Sequence, residues 1–438
     1  MYSQTKNYLD GLHSNFVLKK ILNNLDKRHF CQIIRYNKNI QKKANITIED
    51  YSELYKKYSK IEIEIIPMEK HYLRNLIVMN YDKSFYHFYF NNEKNETYNY
   101  DVHNLHNYLS KIRTFQIDRY FKKEVSKVKI IIDTEFESLN GLFKDCTNIY
   151  KLKLLKYKRI DVTDMSEMFS GCTNMVEVDL SKIITFNVTD MNSMFAKCTS
   201  LERLDLSKFN TKKVTKMSHM FESCDNLLEI DVSNFNTKNV EYMNSMFYGC
   251  LNLENLNLSN FDTSHVIDMD SMFYNCISLE NLNINNLNTR NVVNMKSMFS
   301  LCKALEEIDV SGFDTSNVIN MCEMFATCSS LKNINVSKFK TNKVVNMKGM
   351  FKECAKLKKL DISNFNVENL KDASFMLSQC RSLNGLKLPG FGKKDKIKMD
   401  YMFSSCNEKL KNEIKKENSN LKEEAFLESR YIISPLGN

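Results

Sequence analysis

Proline occurs only three times and glycine ten times in 438 residues, so the sequence offers no proline-rich tract and no flexible linker. No run of 18 apolar residues exists, which leaves no candidate for a helix crossing a membrane. The first twenty residues hold no apolar core after a basic start, so no secretory signal is expected and the expected location is cytoplasmic, with the cell surface as the alternative. Neither G-x-x-x-x-G-K-[ST] nor G-x-G-x-x-G is present, and the eight histidines are scattered without a Ser, Asp or Cys partner pattern. These absences argue against nucleotide-dependent and nucleophilic catalysis, and the chain is expected not to be an enzyme.

The net charge is +9, of which residues 1–80 carry +6 and the segment 81–406 only about +3. A nucleic-acid binder concentrates its Lys and Arg on one face, so no nucleic-acid partner is expected from this distribution. The apolar share of 43% and charged share of 26% are those of a globular chain.

What is present is a period. Eleven cysteines recur every 26 residues: Cys146, Cys172, Cys198, Cys224, Cys250, Cys276, Cys302, Cys328, Cys354, Cys380 and Cys406. A constant period between 20 and 50 residues marks stacked structural repeats. Ten full units run from Leu142 to Tyr401 without insertion or deletion, on the pattern M-F-x-x-C-x-x-L-x-x-L-[DN]-L-S-x-F-x-T-x-x-V-x-x-M-x-x. Strict register of this kind predicts an α/β repeat solenoid with a parallel sheet. Each unit would be strand, turn, short helix and turn, and the sheet would extend about 50 Å over ten strands at ~4.8 Å spacing.

The strand is read from alternation, as in Leu204 and Leu206 against Arg203, Asp205 and Ser207. Phe209 and its equivalents follow and turn inward. The pairs Asn210-Thr211, Asp262-Thr263 and Asp314-Thr315 are turn chemistry, because such short side chains bond their own backbone. Val214, Met217, Met220, Phe221, Cys224 and Leu227 recur at three to four residues, which predicts a short helix or 3-10 segment. Thr163-Asp164 and Thr189-Asp190 would cap it, and Gly171 and Gly249 would end it in the left-handed conformation.

Four segments are expected: a helical module at 1–70, a mixed α/β segment with an N-terminal cap at 71–141, the repeats at 142–406, and a capping helix and tail at 407–438. Ile61–Ile66, Phe85–Phe90 and Val128–Ile132 are strand candidates in the first two, and Leu105–Tyr120 a helix candidate. Leu410, Ile414 and Leu421 mark the C-terminal helix.

The residues Met194-Phe195, Cys198, Leu201, Leu204-Asp205-Leu206-Ser207, Phe209, Val214 and Met217 resemble the BspA-like leucine-rich repeats, in particular the mycoplasma-type repeat of bacterial surface proteins. The resemblance covers about 142–406. It implies a leucine-rich-repeat-like right-handed coil used for binding, with no catalytic residues and no cofactor. Residues 16–40 faintly resemble an F-box, which would make the chain a substrate adaptor of a ubiquitin ligase. Many relatives of the repeat family are adhesion proteins of the cell surface, a further alternative.

The strictest columns are expected to be core. Parallel Cβ vectors are poor for disulfides, and no C-x₂₋₄-C pair offers a metal site, so the cysteines are read as small buried fillers and the methionines likewise. The outward Asp/Asn column of the strand is the candidate partner face: Asp179, Asp205, Asp231, Asn257, Asn283, Asp309, Asn335 and Asp361. Partner information would lie in the variable residues two positions ahead, Arg203, Glu229, Asn255, Asn281, Glu307, Asn333 and Lys359. The expected role is a non-enzymatic protein–protein interaction scaffold with a protein partner.

Overall fold

A computed structural model describes residues 40–42, 60–68, 86–90, 126–132, 138–391, 397–418 and 421–429. The helices expected within 1–70 fall outside the described residues except for the helical residues 40–42, as do the helix expected at 105–120 and nearly all of the F-box-like stretch.

The alternation in IEIEIIP makes β1 (Ile61–Pro67), which buries Ile61, Ile63 and Ile65. It lies between β3 (Val128–Ile132) and β4 (Ile149–Lys156), antiparallel to both, with β2 (Tyr86–Phe90) outside β3 and β5 (Glu177–Asp179) parallel to β4. This sheet covers the first face of the repeats. The N-terminal cap expected within 71–141 therefore draws its central strand from residues 61–67, upstream of that segment.

The repeats stack unit on unit. Parallel bridges join Ser138, Asp164, Asp190, Lys216, Tyr242, Asp268, Asn294, Asn320, Asn346, Asp372 and Lys398, each to the residue 26 positions on. The segment after each bridge makes the seam. In one unit Met191, Ser193, Phe195 and Lys197 donate their N–H groups to the carbonyls of Lys216, Ser218, Met220 and Glu222 in the next. The intervening N–H groups of Met194, Ala196 and Cys198 donate to Met191, Ser193 and Phe195, three residues back.

The helix expected here is therefore not formed. Every second N–H is committed to the neighbouring unit, so no i to i−4 ladder exists, and the chain advances by successive tight turns. Each turn pair needs a left-handed residue at two positions four apart, such as Ser193 (φ 55°) and Lys197 (φ 61°), or Glu167 (φ 55°) and Gly171 (φ 77°). Gly171 and Gly249 are left-handed as expected, but they close a turn and end no helix. Asp164 and Asp190 do accept backbone N–H groups, from Ser166 and Asn192, as turn acceptors and not as helix caps.

Non-glycine residues pay for this conformation, most of all a β-branched one. Thr327 sits at φ 60° in the column that holds Gly171 and Gly249. Thr327→Gly is expected to raise stability by about 1 kcal/mol through relief of that strain. A thermal or urea melt checks it; a lowered midpoint would show that the Thr327 hydroxyl's 3.3 Å contact with Glu353 matters more.

The continuous sheet expected on the other side is also absent. Among the described residues the strand column forms short parallel pairs, β4–β5, β6 (Asn255–Asn257) with β7 (Asn281–Asn283), and β8 (Lys359–Asp361) with β9 (Gly385–Lys387), and one bridge, Glu307–Asn333. β5 to β8 stop after three residues because the Asp or Asn turns back on the chain. Asp205 Oδ1 takes the N–H of Ser207 at 2.9 Å, and Asp231, Asn257, Asp309, Asn335 and Asp361 do the same two residues on. An N–H used locally is not available to the next unit.

The core runs the length of the stack. Phe143, Phe169, Phe195, Phe221, Phe247, Phe273, Phe299, Phe325 and Phe351 form one ladder with ring centroids 5.4 to 5.9 Å apart. The methionine, valine and cysteine columns around them are buried. Thr211 is buried too, its hydroxyl bonding the carbonyl and N–H of Asn236 in the next unit. At the far end α1 (Glu408–Glu417) buries Leu410 and Ile414. The 3-10 turn Glu423–Phe426 offers the carbonyls of Glu424 and Ala425 to the N–H groups of Tyr401 and Phe403.

Candidate interaction face

Alternation along each short strand puts Leu204, Ile230 and Leu256 inward and their neighbours outward. Arg203, Asp205, Glu229, Asp231, Asn255, Asn257, Asn281, Asn283, Glu307, Asp309, Asn333, Asn335, Lys359 and Asp361 are all exposed, and Asp179 is half-buried.

Part of this set converges. An open groove of about 1580 Å³ is lined by Arg203, Asp205, Glu229, Asp231, Asn255, Asn257, Asn281, Asn283 and Glu307 from five consecutive units. Its floor is apolar, with Leu204, Ile230, Leu256 and the half-buried Leu282. Asp179, Asp309, Asn333, Asn335, Lys359 and Asp361 do not line it. Asp179 is engaged instead by Lys153 at 3.1 Å, and Asp361 by Lys387 at 2.9 Å. The groove also includes Glu280, Asn285 and Glu306, which the alternation argument passed over. Glu280 and Glu306 stand one residue ahead of the variable column, where chain direction brings them round to the same face.

The Asp/Asn column thus has a structural task besides any binding one. The serine that follows at +2 supplies the hydrogen bonds, which hold the carboxyls of Asp205, Asp231 and Asp309 below the usual range; at Asp361 Ser363 and Lys387 together bring it to about 2. The D-x-S or N-x-S spacing at Asp179, Asp205, Asp231, Asn257, Asp309, Asn335 and Asp361 was the signal for these turns. Asp205→Asn keeps the acceptor and is expected to leave the melting midpoint unchanged, whereas Asp205→Ala lowers it. Equal midpoints for the two would show that the turn does not need the side chain.

The cysteine column is more than filler. From Cys172 to Cys380 each thiol of the column donates to the carbonyl of the phenylalanine one unit earlier, as Cys224 to Phe195 at 3.2 Å and Cys276 to Phe247 at 3.0 Å, and Cys406 donates to Leu377 in the same way. Burial pushes these thiols up, Cys224, Cys276 and Cys328 to about 12. Inert thiols of this kind are structural. Among the described residues no cluster of three or more His, Cys, Asp or Glu could hold a metal, and no helix is long and apolar enough to cross a membrane.

The repeat is also what the chain shares with other proteins. Four overlapping segments, 137–255, 223–311, 243–335 and 302–417, match the family model described as Mycoplasma protein of unknown function, DUF285. The chain belongs to this family. The matched segments of the DUF285 chain cover the repeats and reach into α1, so the mycoplasma-type repeat read from M-F-x-x-C is the repeat of this family. No curated protein matches it. Among solved structures, a leucine-rich repeat protein from Eubacterium ventriosum ATCC 27560 is 16% identical, with 55% of this chain and 81% of its own covered and a TM-score of 0.28. A leucine-rich-repeat protein of Leptospira interrogans is 12% identical, with 66% and 92% covered and a TM-score of 0.21. The stacking of the DUF285 units rests on their own hydrogen bonds.

Proposed function

We propose that the chain is a non-enzymatic protein-interaction scaffold, wound as a right-handed leucine-rich-repeat-like solenoid, that binds a protein partner through the strand side of units 203–307. Residues 142–406 are the binding array, and 407–438 close it. The observation that supports this reading most is the groove, because five units bring their variable residues to one concavity over an apolar floor. A protein surface with that profile is suited to a partner segment, and the tightly recurring residues are spent on the core.

The test is a variant with Arg203, Glu229, Asn255, Asn281 and Glu307 all replaced by serine. These side chains are exposed, so the fold is expected to survive the change. Affinity capture from the native source, compared by mass spectrometry with the unaltered chain, is expected to lose its specific partner. Retention of the same partners at the same yield would overturn the reading.

A further inference from the structure

The groove has a charge pattern that its protein does not. The chain as a whole is positive by 9, yet the groove is lined by six carboxylates, Asp205, Glu229, Asp231, Glu280, Glu306 and Glu307, against one guanidinium, Arg203. Among the described residues Glu306 alone of these six has an ion-pair partner, Lys332 at 2.6 Å. The carboxylates are also not evenly spread. Beyond the oppositely charged Arg203 and Asp205, Glu229 and Asp231 make one acidic point, and Glu307, with Glu306 and Glu280 beside it, makes the other; Glu229 and Glu307 are three units apart, which at strand spacing is about 14 Å.

Between these two points the strand positions are asparagine, with Glu280 one residue ahead of them. Asn281 Nδ2 donates to Asn255 Oδ1 at 2.7 Å, and Asn257 and Asn283 turn their oxygens to the backbone of Ser259 and Asn285. This arrangement uses one polar end of each side chain. It leaves the amide groups of Asn255, Asn257 and Asn283 as donors and the oxygen of Asn281 as an acceptor. Donors and an acceptor side by side over an apolar floor can meet the backbone of an extended peptide, which offers one of each per residue.

Resting on the interaction-face reading above, we propose that the groove takes an extended polypeptide segment with Lys or Arg at two points about 14 Å apart, its backbone lying on the asparagine centre. An extended chain advances ~3.3 Å per residue, so the two basic points are separated by about four residues. A nucleic acid brings the wrong sign of charge to this face, and the carboxylates repel it.

The probe is a fluorescein-labelled, end-capped peptide of Lys-Arg, three neutral residues and Lys-Arg, titrated with the full chain by anisotropy in low salt. A second peptide places the four basic residues together. The spaced peptide is expected to bind at least 5-fold more tightly than the contiguous one. Glu229→Gln with Asp231→Asn, and separately Glu280→Gln with Glu307→Gln, are each expected to weaken it 5- to 10-fold. Asp231→Asn retains the turn acceptor. Glu413→Gln with Glu417→Gln, on the distant α1, is expected to change nothing.

Equal binding of the two peptides, equal weakening by the α1 pair, or no binding at millimolar peptide would overturn the proposal. So would groove-dependent binding of a single-stranded oligonucleotide run in parallel. The serine variant keeps the two readings apart. If the spaced peptide fails while that variant loses its native partner, the basic-segment proposal falls and the interaction face stands.

Discussion

The protein is expected to unfold cooperatively in mild alkali, near pH 10, well before its backbone is chemically at risk. Ten thiols of the cysteine column have their acidity suppressed in the fold, chiefly by burial, with neighbouring thiols adding to it at several positions. Unfolded, each would titrate near 9.0; in the fold Cys406 is pushed up to about 11 and Cys224, Cys276 and Cys328 to about 12. Above pH 9 the folded chain therefore holds more protons than the unfolded one. Stability present below that pH is lost as pH rises towards the folded values.

Each thiol whose folded value lies above the ambient pH loses on the order of 1 kcal/mol of stability per pH unit in that window. The losses add along the column, against a whole-domain stability of about 5–15 kcal/mol. Far-UV circular dichroism against pH, with thiol release followed by a chromogenic disulfide reagent, checks it. Both are expected to rise together. Replacing Cys224, Cys250, Cys276 and Cys302 by alanine removes four of the titrating groups and is expected to move the alkaline midpoint upward. An unchanged spectrum through pH 11, or the same midpoint in the alanine variant, would refute the account.

Phe273→Ala is expected to be the most damaging single core change at neutral pH. Its ring is fully buried at the middle of the aromatic ladder, 5.9 Å from Phe247 and 5.5 Å from Phe299. Truncation leaves a cavity that strictly registered neighbours cannot collapse into. The expected loss is about 3–5 kcal/mol for the side chain. A further ~0.5–1.5 kcal/mol goes with each of the two ring contacts. Because each unit touches only its neighbours, the break is local, and the units on either side are expected to unfold in separate steps. Urea titration shows the loss, and hydrogen exchange shows whether protection falls first around residue 273. A loss below ~1 kcal/mol would mean that the ladder relaxes across the gap.

The period, the buried columns and the outward Asp/Asn residues were legible in the sequence because each is a matter of spacing and polarity. Leu204 against Asp205 is a two-residue alternation, and burial follows it. The helix was misread for a physical reason. Met217, Met220, Phe221 and Cys224 are spaced by three, one and three, which suits one face of a helix and equally a run of four-residue turns. What separates the two is the left-handed residue at positions such as His219 and Ser223, and most units fill those positions with residues other than glycine. Gly141 and Gly349 in one column and Gly171 and Gly249 four positions on were the visible trace. The groove was half legible. Its variable residues were named from alternation, but convergence of Glu280 and Glu306 on the same concavity depends on how the chain enters the strand, which no pattern of apolar residues records.

The seam carries one more consequence. Tyr401 and Phe403 donate to Glu424 and Ala425 just as Phe195 donates to Met220, so the closing turn imitates the carbonyl row of a further unit. Every unit presents the same donors on one side and the same acceptors on the other. The backbone part of the closing turn matches any unit, and side chains such as Glu428 on Ser405 and Phe426 on Phe403 add to it at this one. Copy number is then a free variable for a gene that duplicates or loses 26 codons at a time: reach along the face changes in steps of about 4.8 Å, while both ends and the core stay as they are.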